Sequence, residues 1–583
     1  MSTSIIRRQS VADLHSEDWP AALHPVLAQI YANRGIRSAA ELERSLQKLL
    51  SYQDLSGIDA AVNLLCEALS QQRRILIVGD FDADGATSCA VAVRALRMLG
   101  CESVDFLVPN RFEYGYGLTP EIVAVAVAQY RPYLLVTVDN GISSHAGVAA
   151  ARAAGIRVLI TDHHLPAQTL PDADAIVNPN QSGDDFASKH LAGVGVIFYV
   201  MLALRARLRR QDWFDAHGIP VPKLSGLLDL VALGTVADVV KLDHNNRILV
   251  AQGLARIRRG LACAGINALI AVARRQPDRL VAADLGFALG PRLNAAGRID
   301  DMALGIQCLL TDDAEQAMTM ARELDQLNRE RREIEASMQM QALDSLDELT
   351  GLLEDGDELP FGLCLYDPGW HQGVIGILAS RIKERLHRPV IAFAPAGNGD
   401  IKGSARSVSG LHIRDVLDAI ACARPGLLHK FGGHAMAAGL TLSETDLETF
   451  SAAFDSEVRC HLSTDDLRGV VFSDGPLAAQ QMSMELAEQL RMAGPWGQGF
   501  PEPVFDGAFA VSQSTIVGDR HLKLKLTPAA RTAASPIDAI AFNTLPEDLP
   551  DPSGLIQCAY RLDVNEYRGQ RTVQLIVEHI EAV

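Results

Sequence analysis

The stretch ILIVGDFDADGATS, residues 75–88, places three aspartates directly after a continuous apolar run. Asp80, Asp82 and Asp84 fall at every second position, and unpaired carboxylates this close repel one another. A short apolar run that ends in glycine is typical of a strand buried on both faces of a sheet. DADG alone is an ordinary turn signal. Three carboxylates at the end of one strand, however, need a positive charge nearby to offset their repulsion.

Apolar strands and helices alternate over the first third of the chain. Five segments have the pattern of buried strands: RILIVG, SVDFLVP, YLLVTVD, RVLITD and DAIVNP. Helical segments such as EIVAVAVAQY and SSHAGVAAARAAG lie between them. Buried strands that alternate with helices predict a largely parallel α/β sheet.

Two more of these strands end in acidic or imidazole side chains. YLLVTVD ends in Asp139, and RVLITD ends in Asp162, which His163 and His164 follow. Because ligands bind outside the carboxyl ends of parallel strands, we expect these residues to meet the first three aspartates in one cleft. A further aspartate, Asp238, interrupts the apolar segment LGTVADVVKL, where a helix cap is the alternative interpretation.

This set of side chains suits a pair of divalent cations. Carboxylate oxygens with one or two imidazoles favour Mn²⁺, Mg²⁺ or Zn²⁺ over soft metals. Five aspartates and a histidine are too many for one ion, whereas two ions about 3.5–4 Å apart that share a carboxylate would use them all. The pattern therefore predicts a two-metal site for phosphoryl hydrolysis.

The composition bounds the class of protein. The chain has 583 residues and a net charge of −18, which argues only weakly against a polyanionic partner because one basic groove can still bind nucleic acid. Its nine cysteines are scattered without a CxxC pair, so we expect no disulfide framework or cysteine zinc site. MSTSIIRRQSVADLH at the N-terminus has no apolar signal core. We expect a soluble, cytoplasmic protein.

Changes in pattern divide the chain into five regions. Residues 313–347 lack proline and glycine and predict a helix of roughly 50 Å. Alternating segments such as HLKLKLTP predict strands near the C-terminus. The predicted regions are an N-terminal helical extension (1–50), a first α/β domain (51–312), a long connecting helix (313–350), a second α/β domain (351–460) and a small β domain (461–583).

Four segments in order, DFDADG, VDNGISS, TDHHLP and GTVADVV, resemble the motifs of the DHH phosphoesterase superfamily. The resemblance is closest to its single-strand-specific 5′→3′ DNA exonucleases and covers nearly the whole chain. It includes GPRLNAAGRID (290–300), YDPGWHQGVIGILASRI (366–382), SARS (404–407) and FGGHAMAAG (431–439). It implies an α/β fold with a DHH domain built on a parallel sheet, a long connecting helix, a second α/β DHH-associated domain and a C-terminal OB-like β-barrel.

The resemblance also implies roles for the strand-end residues. Six side chains would hold two ions, Mn²⁺ or Mg²⁺, in two groups that share Asp139. The first group is Asp80, Asp82 and Asp139, and the second is Asp84, Asp139, His163 and Asp238. Asp162 would support His163, and His164 would face the scissile phosphate or the attacking water, so Asp139, Asp162 and His164 are the implied catalytic residues.

A third set is implied to bind the substrate through donors and close backbone approach. Its members are Arg111, Arg292, Asn294, Arg298, His371, Ser404, Arg406, Ser407, Gly432, Gly433 and His434. Alternatives stay open, because glycines beside small apolar residues also mark tight helix packing. The charged residues of GPRLNAAGR could instead form a structural ion pair.

The implied function is removal of 5′-mononucleotides from single-stranded DNA in repair and recombination. No GxxxxGK[ST] loop is present, so ATP is not expected. Single-stranded DNA is the implied partner, with a single-strand-binding protein and a helicase as further candidates and a monomer as the expected state. The alternatives are a DHH phosphodiesterase for short oligonucleotides or cyclic dinucleotides, and a non-catalytic replication scaffold.

Overall fold

A computed structural model describes residues 3–9, 19–20, 22–109, 117–352, 359–518, 521–529, 535–542, 544, 554–567 and 569–582. For residues 345–352 and 567 it describes the backbone alone. The fold separates into two compact units. The large unit comprises Arg7–Asn328 and Ser473–Val583, and the small unit comprises Met1–Ile6 and Arg329–Phe472.

The chain begins with a strand rather than with the predicted helical extension. This strand, β1 (Thr3–Arg7), pairs with β12 (Gly469–Ser473) in a two-stranded sheet. Its partner is more than 460 positions away in sequence, so local pattern gives no sign of the pairing. The prediction for residues 1–50 holds only for the short helical segments that follow, such as α1 (Pro25–Asn33).

A five-stranded parallel sheet forms the centre of the large unit, as predicted. Its strands are β2 (Ile75–Gly79), β3 (Val104–Leu107), β4 (Leu134–Val138), β5 (Arg157–Thr161) and β6 (Ala175–Val177). The spatial order β3-β2-β4-β5-β6 places β2 and β4 side by side, and every pairing is parallel. The three strands that end in predicted site residues, β2, β4 and β5, are therefore adjacent.

Helices cover both faces of this sheet. The helices that follow α1 in this unit, not all of which touch the sheet, are α2 (Ile58–Ser70), α3 (Ala83–Met98), α4 (Pro120–Gln129), α5 (His145–Ala153), α6 (Gly193–Arg210), α7 (Trp213–His217), α8 (Leu228–Ala237), α9 (His244–Arg258), α10 (Ala264–Val272), α11 (Ala282–Asp284), a π-helical turn (Leu285–Leu289), α12 (Gly290–Ile299) and α13 (Ala303–Leu310). α4 and α5 pack on one face, and α3, α6 and α8 pack on the other. The small side chains of α3, which is buried throughout its first ten residues, let α6 and α8 approach it closely.

The long charged segment forms one helix, α14 (Ala314–Leu352), as predicted. Ala317, Ala321 and Leu324 near its start belong to the core of the large unit. Met338 and Ala342, further along, belong to a core of the small unit. No helix in the described part of the chain combines the length and the apolar content that a bilayer span requires.

The small unit is built on a mixed sheet with the order β10-β11-β9-β8-β7. Its strands are β7 (Leu363–Tyr366), β8 (Val390–Gly397), β9 (Asp400–Arg406), β10 (Lys430–Gly433) and β11 (Ala437–Ser443). α15 (Ile375–Leu386) packs on one face, and α16 (Ile413–Ala423) and α17 (Leu447–His461) pack on the other. On the α15 face, the β10–β11 half of the sheet leaves Gly432 and Gly439 exposed.

The C-terminal strands close into a barrel that belongs to the large unit. After α18 (Met484–Ala493) come β13 (Phe505–Val517), β14 (His521–Pro528), β15 (Ile537–Phe542), β16 (Leu555–Tyr567) and β17 (Gln570–Ala582). The order β13-β14-β15-β17-β16 closes through the β13–β16 pairing. In β14, buried Leu522, Leu524 and Leu526 alternate with exposed Lys523 and Lys525, as the HLKLKL pattern predicts.

Candidate metal centre

The predicted strand-end residues converge at the carboxyl edge of the parallel sheet. Asp80 follows β2, Asp139 follows β4, and the Asp162–His164 segment follows β5. Asp82 is the N-cap of α3 and Asp84 lies in its first turn, while Asp238 follows the last residue of α8. Asp139 adopts a left-handed backbone with φ of 62°, which turns the chain sharply at the end of its strand.

The distances between ligand atoms are short enough for shared ions. His163 Nε2 lies 3.1 Å from Asp139 Oδ1 and 3.5 Å from Asp238 Oδ2. It lies 4.0 Å from Asp84 Oδ2. Three groups of side chains each bring their ligand atoms within 4.8 Å of one another: Asp80–Asp82–Asp139, Asp84–His163–Asp238 and Asp139–His163–His164.

Three ligand atoms at this edge are buried and have no hydrogen-bond partner among the described residues: Asp139 Oδ1, His163 Nε2 and Asp238 Oδ2. A buried carboxylate oxygen or imidazole nitrogen without a partner is costly. All three belong to the predicted second ion's group, and a divalent cation would satisfy them together. The donor set of carboxylates and one imidazole therefore fits a hard or borderline divalent metal.

Burial and mutual repulsion shift the carboxyl groups towards the neutral form. Burial, assisted by the charge of Asp238, raises the pKa of Asp84 to about 7. Burial, assisted by the charge of Asp82, raises the pKa of Asp238 to about 8. The pKa of Asp139 is also raised well above its ordinary value, first by burial and then by the charge of Asp84. These carboxyls are therefore difficult to ionise together unless a cation is present.

The N-terminus of α6 holds Asp84. The backbone N–H groups of Gly193 and Val194 donate to its two carboxylate oxygens at 2.7 and 2.9 Å. A Cβ on Gly193 would lie 2.6 Å from the Cβ of Asp139, so only glycine allows this close approach. Gly193 and Val194 were not predicted to have this role, because their segment, AGVGV, carries no signal for it beyond its glycines.

Asp162 organises both histidines, but not in the predicted way. Its Oδ1 accepts hydrogen bonds from the backbone N–H of His163 at 2.7 Å and of His164 at 3.1 Å. Its ring contact is with His164, whose Nδ1 lies 2.7 Å from Oδ1, and not with the ring of His163. Burial lowers the pKa of His164, but the hydrogen bond and charge of Asp162 outweigh it and raise that pKa to about 9.

Two asparagines hold the backbone of the same segment. Asn178 Nδ2 donates to the carbonyl of His164 at 2.9 Å, and Asn180 Nδ2 donates to the carbonyl of His163. They follow β6, the strand next to β5, and were not identified as functional residues. The NPN pattern at this strand end, in register with the acidic strand ends, is the signal that could have found them.

Asn294 of α12 supports the first aspartate loop. Its Oδ1 accepts a hydrogen bond at 2.7 Å from the backbone N–H of Ala83, between Asp82 and Asp84. One turn later, a Cβ on Gly297 would lie only 1.8 Å from the carbonyl oxygen of Phe81, so α12 lies directly against this loop. The carbonyl oxygen of Asn294 therefore has a positioning role in addition to any contact with substrate.

Arg292 is buried in an ion pair, which was the alternative to its predicted role as a phosphate clamp. Its Nε and Nη2 donate to Asp325 Oδ1 of α14 at 2.9 and 2.8 Å. Arg298 is half-buried one turn after Asn294 on the same helix face, and stays a prediction for substrate contact. Arg111 lies outside the described residues.

In the small unit, β9 and the start of α15 bring several predicted substrate-binding residues together. Arg406 Nη1 donates to Ser404 Oγ at 3.0 Å, and a Cβ on Gly376 would lie 2.7 Å from Arg406 Nη2. His371 Nδ1 accepts the backbone N–H of Gly373 at 3.1 Å. Ser407 differs from its prediction as a donor to substrate, because its buried hydroxyl donates to the carbonyl of Leu411 at 2.7 Å.

The glycine-rich hairpin lies beside these residues in the sheet. Gly432 pairs with Gly439, which in turn pairs with Ser404 across β11 and β9. Gly433 has φ of 145° and contacts the backbone of Ala438, while His434 is exposed in the turn that follows. The row from Gly432 to Ser404 is a nearly bare backbone surface that a polyanion can approach.

The raised pKa values predict how the stability of the metal-free protein depends on pH. Carboxyls whose folded pKa lies above the unfolded value near 4 stabilise the fold while protonated, and that contribution is lost as pH rises to about 8. In EDTA, the thermal midpoint should therefore be lower at about pH 8 than at about pH 6. Saturating Mn²⁺ should reverse this difference, because ionised ligands bind metal best. Differential scanning calorimetry measures both.

The Asp84→Asn/Asp238→Asn double variant is the matched control. It cannot ionise at the two positions, so its midpoint in EDTA should change less between these pH values. An equal change in the double variant and in the wild type would show that other groups cause the pH dependence.

Asn294→Ala tests the positioning role of α12. Loss of the acceptor for the Ala83 N–H should loosen the loop that carries Asp82 and Asp84, and weaken Mn²⁺ binding by roughly 10-fold or more. Isothermal titration calorimetry with Mn²⁺ measures the change. Asn267→Ala, which removes an amide that donates to the carbonyl of Ala262 from an exposed position of α10, is the control. Equal Mn²⁺ affinities in both variants would contradict the role.

Comparison with known proteins places the three structural parts in known families. The model for the DHH family, N-terminal domain, matches residues 74–235. The DHHA1 domain matches residues 360–459, and the RecJ OB domain matches residues 473–579. The first match contains Asp80, Asp139 and the two histidines, although Asp238 lies just beyond its end.

Whole-chain relatives carry the same domains. The single-stranded-DNA-specific exonuclease RecJ of Escherichia coli (strain K12) is 56% identical over 577 residues, which cover 99% of this chain and 98% of that protein. The protein of the same name from Haemophilus influenzae is 51% identical over 563 residues, which cover 96% of each chain.

Solved structures show the same fold. The crystal structure of RecJ from Thermus thermophilus in complex with Mn²⁺ matches with a TM-score of 0.78 and 31% identity, covering 96% of this chain and 76% of that chain. The structure of that protein with Mg²⁺ matches with a TM-score of 0.73 and 29% identity, over 96% and 75%. Because relatives more than half identical align along almost their full length, this chain belongs to the RecJ family of the DHH superfamily.

Proposed function

We propose that this protein is a single-strand-specific DNA exonuclease that hydrolyses phosphodiester bonds with two divalent ions, Mn²⁺ or Mg²⁺. The observation that carries the proposal is the set of buried ligand atoms without hydrogen bonds, Asp139 Oδ1, His163 Nε2 and Asp238 Oδ2. The printed names of the relatives, and the Mn²⁺ and Mg²⁺ of the solved structures, support it.

The ligand groups support one assignment of residues to ions. Asp80, Asp82 and Asp139 would hold the first ion, because their oxygens lie within 4.8 Å of one another. Asp84, His163 and Asp238 form a second such group, and Asp139 Oδ1 lies 3.1 Å from His163 Nε2. Asp139 therefore lies between the two groups and would bridge the ions.

When bound, the two ions would acidify a water molecule and offset negative charge on the phosphate and the leaving oxygen. The chain's own residues fix the geometry for this chemistry. The N–H groups of Gly193 and Val194 hold Asp84, and Asn294 holds the loop between Asp82 and Asp84. Ligands fixed in this way need little rearrangement when charge develops on the substrate.

His164 is the proposed contact to the scissile phosphate. Asp162 fixes its ring through Nδ1, and in the metal-free protein the hydrogen bond and charge of Asp162 outweigh burial and raise the pKa of His164 to about 9. A cationic imidazole beside the ligand groups can donate a hydrogen bond from Nε2 to a phosphate oxygen. Asp162 acts through His164 and so is a positioning residue.

The small unit would bind the DNA backbone through residues of its own sheet. Arg406 donates to Ser404 Oγ and to the carbonyl of Ala405, and within the described residues it has no carboxylate partner. The exposed Gly432–Gly439–Ser404 row lies in the same sheet. A guanidinium beside bare backbone and a hydroxyl is a suitable surface for phosphates. The OB-like barrel would add sequence-tolerant contacts to the single strand.

The 5′→3′ direction, release of 5′-mononucleotides, and a role in repair and recombination are carried by the family resemblance. We propose that the enzyme acts as a monomer, with a single-strand-binding protein and a helicase as its expected partners. Labels placed separately on the 5′ and 3′ ends of one oligonucleotide test the direction, because the label at the end attacked first is released as mononucleotide at the earliest times.

The direct test compares three substrates with Mn²⁺: a 5′-phosphorylated single-stranded 40-mer, a dinucleotide and pyrophosphate. We expect rapid digestion of the 40-mer to mononucleotides, little digestion of the same 40-mer in a duplex, and slow cleavage of pyrophosphate. Rapid cleavage of pyrophosphate or of the dinucleotide with an intact 40-mer would contradict the exonuclease and favour a small-molecule phosphodiesterase.

Asp139→Ala distinguishes an enzyme from a DNA-binding scaffold. It removes the carboxylate between the two ligand groups, so Mn²⁺-dependent digestion should fall by at least about 10³-fold, as expected for a group that binds both ions. Binding of a fluorescent single-stranded 40-mer, followed by anisotropy, should stay within a few-fold of wild type. Turnover is measured under the same conditions.

Asp172→Ala is the control for Asp139→Ala, because Asp172 is an exposed aspartate in the same domain that pairs with Arg152. It should retain wild-type digestion. Wild-type turnover in Asp139→Ala would show that the cluster is not the catalyst.

A further inference from the structure

The large unit contains a cavity of about 570 Å³ next to the segment that carries Asp238. On one side it is lined by Val236, Val239 and Val240, which flank that aspartate. On the other side it is lined by Arg491 and Met492 at the end of α18 and by residues 494–498, which follow that helix. The two sides are joined by a hydrogen bond of 2.7 Å from the N–H of Leu242 to the carbonyl of Gln498. A cavity of this size is within the range of small-molecule sites.

The walls of the cavity are mainly apolar, and several apolar side chains at it are exposed. Leu242, Leu254 and Trp496 contribute to the walls. Phe287 is 80% exposed, Val239 is 65% exposed and Met492 is 49% exposed. Exposed large apolar side chains grouped around a concave surface indicate a binding site rather than ordinary surface.

Three arginines line the same cavity: Arg44, Arg258 and Arg491. Arg44 donates to the carbonyl of Ala493, and Arg258 Nε donates to the carbonyl of Leu280 at 2.8 Å. Within the described residues, none of the three forms an ion pair with a carboxylate. Among the described lining residues the one carboxylate, Glu502, lies 2.6 Å from Arg561 Nη1, and Arg561 also pairs with Glu578.

The arginines lie close enough to affect one another. Burial lowers the pKa of Arg258, and the charges of Arg44 and Arg491 lower it further, while the charge of Asp284 acts in the opposite direction. Three cations in a largely apolar cavity are a charge arrangement that an anionic group would relieve. Apolar walls together with three arginines therefore suit a ligand that has both an apolar body and an anionic group.

We propose that this cavity binds a small organic anion with an apolar body, of the aryl carboxylate or aryl sulfonate class. The apolar body would contact the valine and tryptophan walls, and the anionic group would bind the arginines. This site is separate from the metal ligands, and nothing in the proposed reaction uses it.

The backbone around the cavity connects it to the metal centre. Val239 is β-branched and has φ of 60°, a conformation that such residues rarely adopt, and it directly follows Asp238. The π-helical turn Leu285–Leu289 contributes Gly286 and Phe287 to the lining and leads directly into α12, the helix of Asn294. π-Helical turns and left-handed β-branched residues are features of functional sites.

A second part of the proposal rests on the proposed metal site. An occupant that packs against Val239 would hold Asp238 in place and so favour Mn²⁺ binding. Linkage requires the reverse effect as well, so Mn²⁺ should tighten binding of the organic anion by the same factor, expected to be about 5-fold.

The test uses 1-anilinonaphthalene-8-sulfonate as the probe, with full-length protein in EDTA. The increase in its emission on leaving water reports binding. We expect one saturable site in the wild type. Arg491→Gln should weaken it by about 10-fold, because a charge-assisted contact is lost. Ala251→Phe, which fills the cavity from α9, should abolish it.

Arg209→Gln, at the exposed end of α6 outside the lining, is the matched control and should bind the probe as the wild type does. Thermal midpoints establish that each variant is folded. Unchanged saturable binding in both Arg491→Gln and Ala251→Phe, or absence of saturable binding in the wild type, would overturn the site.

The same titration with saturating Mn²⁺ tests the link to the metal centre. A tighter probe site in the wild type, and no change in Asp238→Asn, supports it. Equal probe affinity with and without Mn²⁺, in protein that calorimetry shows to bind Mn²⁺, overturns the link and leaves the anion site standing. Failure of Mn²⁺ to bind at all would instead contradict the proposed function.

Discussion

Repulsion among buried carboxylates at one edge of a parallel sheet is the constraint on which the rest of the large unit depends. Asp84, Asp139 and Asp238 are all withdrawn from water. The charge of Asp238 raises the pKa of Asp84, and the charges of both raise the pKa of Asp139. Without metal, such a group stays buried only when some of its carboxyls are protonated, so a fold that keeps them ionised needs cations to neutralise them and a backbone that holds them rigidly. The architecture supplies that rigidity from outside the sheet.

The supports come from elements far apart in sequence. The start of α6 holds Asp84, α12 lies against the loop of Asp82, and two asparagines after β6 hold the backbone of His163 and His164. Each support is a backbone hydrogen bond or a glycine contact rather than another charge. None of these supports brings a cation to the ligands, so the carboxylates stay available to the metal ions.

The parallel sheet and its ligand edge could be predicted because both are local patterns. Apolar runs define the strands, and the residue after each run is visible in the sequence. The supports could not be predicted, since Gly193 and Val194 lie 109 and 110 positions from Asp84 and carry no acidic or basic signal. The strand β1 could not be predicted for the same reason, because its partner β12 is distant in sequence. The ion pair of Arg292 likewise depends on Asp325, which lies 33 positions away on another helix. The structure at each of these positions depends on a partner that is distant in sequence and not on local propensity.

The central claim is that two divalent ions share Asp139. Anomalous scattering from crystals of this protein grown with Mn²⁺ tests it most directly. The account predicts two peaks about 3.5–4 Å apart, one contacted by Asp80, Asp82 and Asp139 and the other by Asp84, Asp139, His163 and Asp238. A single peak, or two peaks of which neither is contacted by Asp139, would contradict it.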